Sequence, residues 1–203
     1  MSVRKVFVEG ENLQERAYFG WQKKDDAFYG LREGYLNSAN NLVDIALDKG
    51  SQGDIKTLDT FIFPIIFLYR HSIELSLKNI YHRFYGQIPD GRHDLLVLWD
   101  NIYKKVLVKL EDQSFLEMVK KYKTTFVKFN FNGISMNEIR LMIKEINDID
   151  LQADKFRYLM DKDAELYFIN SKFIDYPNLK ESMNYLYEVL DYINFVVDEY
   201  LSS

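Results

Sequence analysis

Phe61-Ile62-Phe63-Pro64-Ile65-Ile66-Phe67-Leu68-Tyr69 is too apolar to face water, and it runs without a turn signal into Arg70-His71-Ser72-Ile73-Glu74-Leu75-Ser76-Leu77-Lys78. On a helix that advances about 100° per residue, Arg70, His71, Glu74, Lys78 and His82 fall within an arc of roughly 120°. One long central helix therefore carries an ionisable stripe where its own beginning predicts burial. Buried charges are expensive unless paired. The stripe is either a structural ion-pair network or a functional site. Glu74 stands four residues from both Arg70 and Lys78, so it can bridge two cations.

The rest of the chain supports a helical reading. Its 203 residues are 47% apolar, enough for one domain with a substantial core. Only 9 Gly and 3 Pro are present, too few for the many tight turns of an all-β fold. The spacing predicts a helix over roughly 27–47, closed by Lys49-Gly50-Ser51-Gln52-Gly53. A central helix follows over roughly 54–85, kinked or broken at Pro64. His93-Asp94 opens another that reaches about Leu110, and Ser114 one from Phe115 to Phe129. Ser135 with Glu138 forms a capping box, and Asp175 with Pro177 starts the last helix. Between these, β-prone runs on either side of Asn170-Ser171 predict a small hairpin near 165–174. The expected fold is all-α, a single helical domain over 1–203 with that hairpin as an excursion.

Several chemistries are excluded or disfavoured. There is no cysteine, hence no disulfide framework, thiolate metal site or Cys nucleophile. His71 and His82 share a face but lie about 16 Å apart at 1.5 Å per residue, so they cannot bind one ion. No metal and no cofactor are expected. A net charge of -5 argues against a general electrostatic grip on nucleic acid. The lysine–aromatic face over Lys120–Phe129 is the only notable basic patch, read as a solvated amphipathic helix or a stacking surface. The longest apolar run falls far short of the ~20 residues of a membrane span, and the expectation is a cytoplasmic protein with no membrane contact.

The candidate site follows from the stripe. Phosphate chemistry needs fixed positive charge and a group titrating near neutrality. Arg70 and Lys78 would hold the anion, and His71 would move protons with Glu74 beside them. His93 would fold back over the short Gly86–Arg92 loop, nearer His82 than Arg70. Arg157 would either add a second anion clamp or bridge local aspartates. The aromatic residues Tyr185, Tyr187, Tyr192, Phe195 and Tyr200 occupy more than one face of the last helix, which predicts a homodimer.

Phe67 to Lys78, taken with His93-Asp94-Leu95 and Leu98-Trp99, resembles a group of bacterial HEPN-like helical proteins over residues 25 to 110. A looser echo lies in Phe156-Arg157-Tyr158. The resemblance implies a bundle of four to five helices, often homodimeric, in defence or toxin–antitoxin settings. It also implies metal-independent cleavage of RNA by an Arg and a His separated by four to six residues. This chain departs from that motif. The residues at the required spacing are Pro64, Ile65 and Ile66 before His71, Leu75, Ser76 and Leu77 before His82, and Gly86, Gln87 and Ile88 before His93. The leading expectation is an RNA- or nucleotide-directed protein of this kind with ribonuclease activity, with a cognate protein partner in view. The alternative is a non-catalytic helical interaction module whose stripe is structural.

Overall fold

A computed structural model of the chain describes residues 6–20, 27–110 and 135–202. The expected helix over 115–129 and its basic face lie outside the described residues. Five helices organise the rest: α1 (Ala27–Ser51), α2 (Ile55–Tyr85), α3 (Leu95–Ile102), α4 (Met136–Ile149) and α5 (Tyr176–Ser202). A π-helical turn, Tyr103–Leu107, and a last turn, Val108–Leu110, extend α3. The all-α expectation holds at this level.

Local sequence sets the helix ends. Asp54 caps α2: its Oδ1 accepts the Thr57 N–H at 3.0 Å and its Oδ2 the Thr57 hydroxyl at 2.6 Å. Gly86, at φ 70°, closes α2 by donating its N–H to the His82 carbonyl. Asp94 Oδ1 accepts from both Leu96 N and Val97 N at 3.0 Å and starts α3. Ser135 caps α4 through the Glu138 N–H, and Asp175 caps α5 through the Asn178 N–H. Gly50 sits at the tight α1–α2 connection, where an added Cβ would come within 2.7 Å of Leu58.

α2 is the centre of the fold and packs against α1, α3 and α5, while α4 packs on α3. Ile65, Tyr69, Ile73, Leu77 and Ile80 recur at three- and four-residue spacing and form its buried face. They meet Ala39, Val43 and Ala46 of α1, whose small side chains allow close approach. Leu98, Trp99 and Ile102 of α3 and Leu186, Leu190, Ile193 and Val197 of α5 complete the core. Polar clips fix the register. Tyr69 and Asn184 both donate to Asn40 Oδ1, and Asn79 donates to Asn194.

Three expectations are revised. α2 runs through Pro64 unbroken, because Pro64 and Thr60 both lie on its exposed side. The Thr60 carbonyl, which loses its donor to proline, is at a water-facing position. The hairpin near 165–174 does not form: no strand occurs among the described residues, and 171–175 has no regular structure. β-type pairing is limited there to a bridge between Met160 and Leu166. The turn is centred earlier because Asp161 Oδ1 accepts the N–H groups of Asp163 and Glu165. Finally, one chain already covers much of α5. Tyr187, Val196 and Val197 are buried, Tyr185, Tyr192 and Tyr200 are half-buried, and Phe195 is 37% exposed.

Candidate functional site

Arg70 follows directly on the apolar half of α2, so its guanidinium is carried into the core and is only 1% exposed. Each of its three nitrogens meets an acceptor. Nη1 donates to Glu74 Oε2 at 3.0 Å, one turn along the same helix. Nε donates to the Asp150 carbonyl at 2.9 Å, where α4 ends. Nη2 donates to the His93 carbonyl at 2.6 Å, just before α3 begins, and lies 3.5 Å from the Leu151 carbonyl. One side chain thus joins α2 to the start of α3 and the end of α4.

Glu74, also 1% exposed, is the counterpart. Its Oε1 accepts from Lys78 Nζ at 2.6 Å and lies 2.9 Å from His93 Nδ1. An ionised carboxylate only accepts, so His93 carries its proton on Nδ1 in this contact. Burial raises the Glu74 carboxyl; the Lys78 hydrogen bond and the charges of Lys78, His93 and Arg70 outweigh it and hold the group below its ordinary value. Asp150 completes the network. Its Oδ1 accepts the N–H groups of Asp154 and Lys155, while Oδ2 has no hydrogen-bond partner and sits 3.9 Å from Arg70 Nε.

Arg70, Glu74, Lys78 and His93 are therefore brought together. His93 lies at Glu74 and Arg70, not toward His82, whose ring instead meets Phe28. The correction has a simple cause. From Tyr85 to His93 the chain can reach roughly 26 Å, more than the ~16 Å of helix it must retrace to Glu74.

His71 and Arg157 stand apart from the network. His71 points about 100° away from Arg70 on the helix. Its ring stacks on Phe67 at 5.7 Å and meets Tyr35 edge-on at 4.6 Å. Burial lowers its pKa against the pull of Glu74, which favours the neutral ring. Arg157 neither clamps the stripe nor bridges an aspartate among the described residues. It donates from Nε to the Ala153 carbonyl at 2.6 Å and lies over the rings of Phe67 and Tyr158.

Sequence reasoning missed Asp150 and the backbone carbonyls. Asp150 did carry a signal. A carboxylate at a helix C-terminus opposes the helix dipole and calls for a cation. The carbonyls of His93 and Leu151 carried none, since every residue has one.

The arrangement is closed chemically at its centre. With its nitrogens all matched and its surface sealed, Arg70 has nothing to offer an external anion. Only Lys78, with its side chain 17% exposed, and His93, at 51%, bring the network to solvent.

Removing the Glu74 carboxylate leaves a buried guanidinium and an ammonium without their shared partner. Glu74→Ala should lower unfolding stability in urea by about 3–5 kcal/mol. The pH dependence has a definite sign. A carboxyl depressed in the folded state contributes stability above its unfolded pKa, and that contribution disappears as pH falls through the folded value. The wild type should lose stability below the ordinary Glu value of about 4.3, and Glu74→Gln should lose less over the same fall. Equal acid slopes for the two proteins would show that the network does not hold Glu74 ionised.

The chain matches no protein-family model, no curated protein and no solved structure, so the chemistry of the site rests on its own geometry.

Proposed function

We propose that this chain is a non-catalytic helical interaction module with a HEPN-like bundle, in which the Arg70–Glu74–Asp150 network is scaffold. The observation that carries this reading is the matching of every Arg70 nitrogen to an internal acceptor within a sealed core. A residue that gripped phosphate would keep donors facing solvent. Contact with a partner would use the apolar side chains left open around 168–174. Ile169 is 78% exposed and Phe173 fully so, beside Phe168 and Ile174. The partner fitting this reading is a second copy of the chain or a cognate protein, in the defence or toxin–antitoxin setting that the resemblance implies. No helix among the described residues is long and apolar enough to cross a membrane.

One observation favours a second reading, metal-independent RNA cleavage. His93 is half-exposed with Glu74 at its Nδ1, the pairing in which a carboxylate orients an acid–base imidazole. In this reading His93 rather than His71 moves the proton, Lys78 supplies charge, and Arg70 and Glu74 act from behind.

Incubation with total cellular RNA separates the two. The module reading expects intact RNA with wild type, His93→Ala and His71→Ala alike. Cutting by the wild type that is lost in His93→Ala and unaffected by EDTA would replace it with the second reading. For the dimer, light scattering at micromolar concentration should report twice the 24.2 kDa of one chain. Phe173→Asp should shift that mass toward the monomer, and a wild type that is monomeric throughout would remove the homodimer.

A further inference from the structure

The N-terminal arm, residues 6–20, lies open along its length. Val6, Phe7, Val8, Leu13, Tyr18 and Phe19 are each at least 73% exposed. Residues 6–9 make no hydrogen bond among the described residues. A Val-Phe-Val run with unmatched N–H and C=O groups has the composition and the open edge of an unpaired strand.

The segment 168–174 has the same two properties. Phe168, Ile169, Phe173 and Ile174 are exposed, and no residue of the segment makes a hydrogen bond among the described residues. Exposed apolar side chains on the helices differ, because their backbone groups are already matched within the helix. Phe168 is held by Phe63 of α2 and by Phe156, at ring separations of 5.8 and 5.1 Å, so the open segment leaves a fixed aromatic platform. The charges of the two segments are opposite. Residues 6–15 carry Glu9, Glu11 and Glu15 and no basic residue. Residues 166–174 carry Lys172 and no acid, and Lys155 and Arg157 flank Phe156. Within one chain neither segment covers the other. The stretch from Phe7 to Ala27, about 20 residues, spans up to ~70 Å when extended, enough to reach a neighbouring molecule.

We infer that residues 6–9 of one copy add as a strand to 168–174 of a second copy, and that the exchange is reciprocal. Main-chain hydrogen bonds between the segments match the open N–H and C=O groups of both. Val6, Phe7 and Val8 then cover the exposed side chains of 168–174. Two-fold symmetry lets each copy give its arm and receive the other, so every open edge is closed at once. A second copy is favoured over an unrelated protein because the chain itself supplies both halves of the contact. The inference rests on the interaction-module reading and names the segment that fills its contact surface.

The chain has no cysteine, so introduced thiols report contacts cleanly. Full-length Phe7→Cys chains are mixed with Phe173→Cys chains and treated with a short bismaleimide, and the linked peptides are read by mass spectrometry. A link between positions 7 and 173 should form, and in this mixture it can only join two chains. Phe7→Cys mixed with Glu188→Cys, at an exposed position on α5, should give none. Phe7→Asp should raise the dimer dissociation constant about tenfold or more in light scattering, with an unchanged circular dichroism spectrum because Phe7 is open in the single chain. A dimeric wild type with no 7–173 link and an unaltered Phe7→Asp dimer would overturn the arm exchange and leave the homodimer through 168–174 standing. A link that forms only when one chain carries both thiols would also overturn it, since the arm then folds back on its own chain. A wild type that stays monomeric removes the exchange together with the homodimer.

Discussion

The guanidinium of Arg70 is the point on which this fold is assembled. It belongs to the central helix, but most of its hydrogen bonds leave that helix. One goes to the carbonyl before α3 and another to the carbonyl that ends α4. Those backbone groups lie at chain positions 93 and 150, so a single side chain closes two long loops in space. A planar fork of donors suits that task, because it meets several acceptors at fixed angles. Glu74 neutralises the charge within one helical turn and passes the connection on to Lys78 and His93.

A buried ion pair is weak evidence for stability, since desolvation offsets much of the Coulombic gain. Its worth here lies elsewhere. If an apolar side chain replaced Arg70, the His93 carbonyl would be left without its donor and the Asp150 carbonyl with the Ala153 N–H at 3.4 Å, and an unmatched buried carbonyl is itself costly. The network therefore specifies how helix ends meet rather than adding to the hydrophobic term. That division of labour fits the packing. Ile65, Ile73, Leu77 and Ile80 hold α2 against its neighbours, and the charged residues decide where the connecting segments land.

Much of this was legible in the sequence, for physical reasons. Helix caps such as Ser135 and Asp175 could be read because acceptor and donor lie within three residues of each other. The Glu74 bridge could be read because helical spacing alone brings it to both Arg70 and Lys78. The location of His93 could not, because a short loop limits how far the chain returns but not where it stops. The wrong hairpin turn came from weighing Asn170-Ser171 above Asp161, whose side chain satisfies two N–H groups of its own turn. The surroundings of His71 could not be read because a residue's place on a helical arc does not reveal which neighbours cover it. Tyr35 and Phe67 enclose that ring, while its neighbour Arg70 enters the core.

The central claim is that Arg70 acts through the geometry of its fork and not through its charge alone. Urea unfolding of Arg70→Lys tests it most directly, because lysine keeps the positive charge beside Glu74 but cannot reach the His93 and Asp150 carbonyls together. Arg70→Lys should lose about 1–3 kcal/mol of stability relative to wild type, the cost of leaving a buried carbonyl without its donor. A change within about 0.5 kcal/mol, the range of ordinary surface substitutions, would contradict it.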